Sequence, residues 1–216
     1  MSALKLKHAS GNGAIINAPA ATPSADITLK VPSTTGSAGQ VLKIASANHS
    51  STNAELEWAA ASGGLFSSYA VIVDQKSQNT EAGTFTQDAW QTRDLNTESF
   101  DPDGIVSISS NKFTLAAGSY LIVWSAPCYK VDKNQTRLYD VTNSSAGAGF
   151  KGSVEHAGTT TAIQVRSTGA MRVSPSGSNE YRIEHKSAAT RADNGFGFAA
   201  NLAAEIFTIV EIYKEA

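Results

Sequence analysis

The chain has 216 residues, with 17 Lys and Arg against 19 Asp and Glu, a formal net charge of −2 and 41% hydrophobic residues. Charge this sparse and balanced, without a basic stripe, excludes the electrostatic footprint of a nucleic-acid binder, and no apolar run is long enough to cross a bilayer as a helix. The single cysteine, Cys128, excludes an intrachain disulfide and a cysteine-rich metal centre.

Residues 1–62 carry short apolar clusters at 4–6, 14–16, 27–31, 41–44 and 55–58, separated by Gly, Pro, Ser and Asn. Ile27, Leu29 and Val31 alternate as in a half-buried strand, and Pro19, Pro23 and Pro32 rule out a helix across the middle of the segment. Strands this short build no free-standing core, so an attachment or shaft module completed by other chains is expected, followed by a flexible Gly/Ser linker to about residue 64.

From residue 65 the pattern is denser. Strands are predicted at 69–73, 89–96, 105–108, 112–115, 119–126, 135–142, 161–166, 169–173, 181–186 and 205–213, with a hairpin turn at 109–111 and a tight turn at Gly118. The strand 119–126 is apolar on both faces and therefore central in its sheet. No stretch repeats its apolar residues with helical spacing. The fold class is all-β: a small N-terminal module (1–62) followed by an antiparallel jelly-roll sandwich (65–216). The terminal strand is also apolar on both faces, with Ile209 and Tyr213 on one of them. Together with Phe196, Phe198 and Phe207 this points to an aromatic subunit interface.

Little in the sequence announces chemistry. Gly147-Ala-Gly-Phe-Lys-Gly152 has the spacing of a nucleotide-binding turn, but the next residues, Ser153 to Thr160, have no helical face, so a mobile loop is expected. The histidines, His8, His49, His156 and His185, are isolated from one another and are expected on the surface rather than on a metal. Cys128 ends an apolar strand and reads as a buried small hydrophobe. Asp101-Pro-Asp-Gly104 reads as a turn. No catalytic residue, cofactor or metal is assigned. The long polar segments 75–87, 143–160 and 187–195 suit hydrogen bonding to sugars, with Asn143, Arg166 and Arg191 as surface-binding candidates.

The strand 69–73, the run Gly118-Ser-Tyr-Leu-Ile-Val-Trp124 and the closing Gly195-Phe-Gly-Phe198 with strand 205–213 resemble the trimeric jelly-roll superfamily of tumour-necrosis-factor ligands and complement-type globular heads. That resemblance implies a homotrimer whose core takes the Gly-x-Tyr strand and the terminal strand. It makes Tyr120, Ile122, Trp124, Phe207, Ile209 and Tyr213 interface candidates, joined by Phe196 and Phe198.

The blocks 4–12, 19–32, 39–43 and 55–58, together with Trp90-Gln-Thr-Arg-Asp-Leu-Asn96 and 118–127, resemble fibre proteins of tailed, especially marine, bacteriophages. The resemblance implies a noncatalytic homotrimeric virion protein of tail-fibre or spike type. Residues 1–62 would hold other virion proteins and the jelly roll would meet a host-surface glycan, with no nucleic acid bound and no membrane inserted. The start of the chain shows no apolar stretch of signal-peptide length, which fits synthesis in a host cytoplasm and release in the virion. A capsid decoration or head-fibre protein is the alternative, and a polysaccharide-degrading enzyme on a β scaffold the second.

Overall fold

A computed structural model describes residues 3–7, 13–17, 28–50, 53–60, 64–144 and 151–216. The chain falls into two units, Met1–Ser62 and Gly63–Ala216. Every regular element among the described residues is a β-strand.

In the first unit β1 (Ala3–Lys7) and β2 (Gly13–Asn17) form an antiparallel pair. A separate three-stranded sheet has β5 (Asn53–Ala60) at its centre, with β3 (Thr28–Lys30) parallel to it and β4 (Gln40–His49) antiparallel. Trp58 anchors a turn here: its indole N–H donates to the Thr34 carbonyl at 2.9 Å. Gly36 lies flat against that ring, where a Cβ would come within 2.6 Å of it. Leu29, Val31 and Ile44 remain exposed, so this sheet buries little apolar surface of its own.

The second unit is a two-sheet antiparallel sandwich. Its strands are β6 (Phe66–Lys76), β7 (Gln91–Thr92), β8 (Thr97–Phe100), β9 (Val106–Ser109), β10 (Lys112–Leu115), β11 (Tyr120–Tyr129), β12 (Lys133–Asp140), β13 (Lys151–His156), β14 (Gln164–Val173), β15 (Asn179–Ser187) and β16 (Glu205–Glu215). One sheet runs β14-β11-β16-β6-β8, and the other β13-β12-β15-β10-β9 with β7 added on β15. Without the short strands β7, β8 and β9, the remaining eight in chain order lie 6-3-8-1 in the first sheet and 5-4-7-2 in the second. That is a long hairpin folded over on itself, the jelly-roll arrangement.

Alternation along the strands builds the core. In β12 and β15 every second residue is buried, and of these Leu138, Tyr181 and Ile183 join Tyr120, Ile122, Trp124, Val210, Ile212, Ala70 and Ile72 of the other sheet in one core. A second apolar cluster, with Ala82, Phe85, Cys128, Val131, Ala157, Phe196 and Phe207, closes one end. The end at which the chain enters is marked by Ala216 donating its N–H to Leu65 at 3.3 Å. Strand direction then places Tyr120, Asp140 and Asn179 at this proximal end, and Tyr129, Lys133 and Ser187 at the distal end.

Three expectations need revising. The two strands predicted at 161–166 and 169–173 are one continuous β14, paired with β11 along its whole length. Ser167 and Gly169 look like turn residues, but Gly169 leaves room for the Trp124 ring, which a Cβ there would strike. The Ser167 hydroxyl lies 2.8 Å from Thr136 Oγ1, the acceptor of the Trp124 N–H. Second, β13 occupies part of the stretch expected as a loop over 143–160. Gly152 is its inward residue because the Thr136 hydroxyl and the Thr168 carbonyl leave no space for a Cβ, so no apolar alternation marks the strand. Third, the strand predicted at 89–96 shrinks to the two residues of β7. The turn at 109–111 is present, with Ser110 and Asn111 both at positive φ (52° and 62°), the geometry of a tight hairpin. Gly118, at φ 152°, turns the chain into β11.

Candidate functional site

Strands β11, β16 and β6 lie side by side at the middle of the first sheet. Their inward residues fill the core, so the intervening positions face outward. Register aligns those positions in rows: Leu121 opposite Tyr213 and Tyr213 opposite Tyr69, then Val123 opposite Glu211 and Glu211 opposite Val71. Phe100 of β8 lies opposite Val71. The rings form a ladder across the strands, with centroids 5.1 Å apart for Phe66 and Tyr213, 6.0 Å for Tyr69 and Tyr213, and 4.8 Å for Tyr69 and Phe100. Tyr69 is 45% and Phe100 43% exposed. With Phe66, Val71, Leu121, Val123 and Tyr213 half-buried beside them, these neighbouring aromatic and aliphatic groups form one contiguous patch rather than scattered surface residues. One carboxylate interrupts it: Glu211 accepts the Tyr213 hydroxyl at 2.6 Å, and this bond raises the phenol pKa. At the rim, Arg172 clasps Glu215 with two bonds of 2.6 and 2.7 Å.

The structure divides the eight interface candidates. Tyr120, Ile122, Trp124, Phe196 and Phe207 are buried within the single chain. They are core residues and have almost no surface left to give a partner. For Phe207 the reason is local: the β16–β6 register shifts between Ile206 and Ile209, so Phe207 turns into the second cluster and Ile206 is exposed. Ile209 and Tyr213 do lie on the outer face. Phe198 is exposed elsewhere, tilted on Tyr129 at 5.0 Å. Tyr69, Val71, Phe100, Leu121 and Val123 share that outer face without having been among the candidates; for all but Phe100 of β8, the apolar residues on both sides of strands 69–73 and 119–126 carried the signal.

The surface-binding candidates do not converge. Arg166 is not a loop residue. It sits in β14 and reaches across β11, donating to the Ser125 hydroxyl at 2.7 Å and to the Phe207 carbonyl at 2.5 Å, which the shifted register leaves without a strand partner. Burial lowers its pKa. Arg191 is held at the distal end, its Nε 2.8 Å from Asn194 Oδ1. Asn143 is at the proximal end, its amide donating to Asp140 at 2.8 Å, on the wall of a cavity of about 370 Å³ that also takes in Leu138, Met171, Asn179 and Tyr181.

Titratable groups inside the sandwich are committed to structure. Arg93 is fully buried, donates to Thr208 Oγ1 at 3.0 Å and to the Phe196 carbonyl at 2.8 Å, and lies 4.2 Å over the Phe196 ring. Burial pushes its pKa down to about 10. Asp74 is buried beside Lys76 at 3.1 Å, and burial raises its pKa. Burial pushes the Cys128 thiol up to about 12. His185, expected on the surface, is fully buried: its Nε2 is 2.9 Å from Asn134 Oδ1 and its ring packs on Phe85. Burial, then the charge of Arg93, holds its pKa well below 6.5. His156 is exposed and paired with Asp132 at 2.7 Å, while His8 and the His49 side chain lie outside the described residues. The carboxylate of Asp101 accepts the N–H groups of Ile105 and Val106 at 2.9 and 3.0 Å, the work of a turn. Residues 147–150 of the glycine-rich motif lie outside the described residues, and its last two are in β13. Among the described residues no group of three His, Cys, Asp or Glu is placed to hold a metal.

No protein-family model matches the sequence, and no curated protein matches it. Among solved structures, the globular domain of zebrafish complement 1qA protein aligns over 67% of this chain and 94% of its own length, at 12% identity and a TM-score of 0.43. Murine APRIL at pH 5.0 aligns over 68% and 98%, at 8% identity and a TM-score of 0.45. Eiger TNF from S. frugiperda aligns over 68% and 92%, at 10% identity and a TM-score of 0.45.

Proposed function

We propose that this chain is a noncatalytic virion protein of a tailed phage, of tail-fibre or spike type, that trimerises through the outer face of its first sheet and presents the sandwich to a host surface. The observation that carries the reading is the aromatic ladder of Phe66, Tyr69, Phe100 and Tyr213 with Leu121 and Val123. Fully burying one such side chain contributes about 1.5–3 kcal/mol, and a second and third copy supply the same apolar surface in return. Weak contacts by each copy then add up at the host surface.

The first unit is the attachment module. Its resemblance to phage-fibre blocks and its exposed Leu29, Val31 and Ile44 support a role completed by another protein of the particle. The buried Cys128 thiol and His185 support a noncatalytic reading, since both are committed to the interior.

Light scattering on the full chain tests the assembly. The expected mass is three times that of the chain, falling to one third of that value in a Leu121→Asp, Val123→Asp variant that keeps its β circular-dichroism spectrum. A wild-type monomer refutes the reading. Antibody labelling of virions then separates a tail fibre from a capsid decoration protein.

A further inference from the structure

The outer face of the second sheet differs from the first in kind. At its distal end, register sets Lys186 of β15 beside Gln135 of β12 and Gln135 beside Val154 of β13. Trp90, Asp88, Lys133, Asn134 and Ser187 complete the walls of a cavity of about 250 Å³. The Arg137 guanidinium lies 4.2 Å over the Trp90 ring and fixes it as a rigid wall. Arg137 is itself held by Glu184 at 2.6 Å.

The polar groups are unevenly spent. Asn134 is used up, its amide donating to the Asp132 and Glu155 carbonyls and its oxygen facing His185. Gln135 donates its amide to the Gly152 carbonyl at 2.9 Å, which leaves its oxygen as an acceptor. Neither Lys133 nor Lys186 makes an ion pair among the described residues, whereas Lys76 and Lys112 do. The cavity thus offers two unpaired ammonium groups, one carboxylate (Asp88), a carboxamide oxygen and a fixed indole.

We infer that this cavity binds a carboxylate-bearing sugar unit of a surface polysaccharide. The two ammonium groups match a carboxylate, Asp88 and the Gln135 oxygen accept sugar hydroxyls, and the indole and Val154 cover the C–H face of a pyranose ring. A neutral sugar leaves the two lysines unmatched, and a plain anion makes no use of the indole. Pockets for drug-sized ligands run from roughly 300 Å³ upward, so a single ring is the right scale. The site lies at the distal end, away from Leu65 where the chain enters, and the carboxylated sugar deepens the proposed adhesion role, on which its biological use rests.

Titration calorimetry on the full chain with tetragalacturonate, its methyl ester and a polyglutamate of equal charge tests the assignment. Tetragalacturonate is expected to bind, the methyl ester about tenfold or more weakly, and polyglutamate no better than the ester. Lys133→Gln with Lys186→Gln is expected to weaken tetragalacturonate about tenfold while the unfolding midpoint stays at the wild-type value. Trp90→Phe, which keeps a ring against Arg137, is expected to weaken it by a smaller factor. Equal binding of polyglutamate, an unchanged affinity in the double lysine variant, or no binding of tetragalacturonate each overturns the inference. Adhesion is read separately, by attachment of fluorescently labelled wild-type and double-variant chains to a panel of Gram-negative cells. Attachment of both refutes the cavity's role and leaves the adhesion reading standing. Tetragalacturonate binding without attachment to any cell does the reverse.

Discussion

The two outer faces of the sandwich are built on the same backbone plan and carry opposite chemistry. Toward the middle of the first sheet the outward positions include Tyr69, Val71, Leu121, Val123 and Tyr213, with Glu211 among them and the Arg172–Glu215 pair only at the rim. On the second they are Gln135, Arg137, Tyr139, Arg182, Glu184 and Lys186, and the aromatic rings are capped by cations: Arg137 over Trp90 at 4.2 Å and Arg182 over Tyr139 at 4.6 Å. A ring under a guanidinium stays soluble, whereas a ring stacked only on other rings gains by losing its water. The contrast teaches that aromatic content alone does not identify an assembly surface. What covers the rings does.

The largest effect is expected where both faces share one support. Trp124 spans the core, with its N–H on Thr136 of the opposite sheet at 2.8 Å and its ring over Gly169. Trp124→Ala is expected to cost about 3–5 kcal/mol. Both the assembled mass and sugar binding would be lost, as read by chemical denaturation and light scattering. Retention of either with the other gone would show that the faces are supported independently.

A smaller change separates the faces. Glu184 is buried and takes one bond from Arg137 at 2.6 Å and one from Arg182 at 2.8 Å. Arg137→Ala removes the first and frees the Trp90 ring, with an expected loss of about 1.5–3 kcal/mol. Denaturant titration checks the magnitude. Because the apolar face is untouched, the assembled mass should not change; a fall in mass would couple the two faces.

The smallest effect depends on pH and lies between the faces. His185 is neutral in the fold, so as the pH falls through 6.5 the unfolded chain takes up a proton that the folded chain refuses. Stability present above that pH is then lost at a slope approaching about 1.4 kcal/mol per pH unit. His185→Gln, which keeps a donor toward Asn134, is expected to remove that slope just below pH 6.5 in thermal unfolding. The raised pKa of Asp74 acts with the opposite sign, since its contribution is present at low pH and lost as pH rises through the folded value. Both chains carry Asp74, so their difference isolates the imidazole.

Particular residues mark how far the sequence could be read. The double-sided apolar character of 119–126 placed β11 correctly inside its sheet, and the Ser-Ser-Asn turn before Lys112 was visible as composition. Burial of Phe207 was not visible, because it depends on a register shift between β16 and β6, strands far apart in the chain. Nor was β13, whose inward residue is a glycine chosen for the closeness of Thr136 and Thr168. The cationic cavity was equally hidden. Trp90, Lys133, Gln135, Val154 and Lys186 lie on four separate segments and acquire meaning only when the sheet aligns them.

The way the chain enters the sandwich sets how it carries force. The unit starts and finishes at the same end, where Ala216 bonds to Leu65, and β6 is paired along its length with β16. If the distal end is pulled while the chain is held at Leu65, the load runs along β6. Ladder hydrogen bonds lie across the strands, so that pull shears many rungs together instead of peeling them one at a time. The connection between β6 and β16 is therefore arranged as a force-bearing joint, strongest when the distal end is drawn straight away from Leu65.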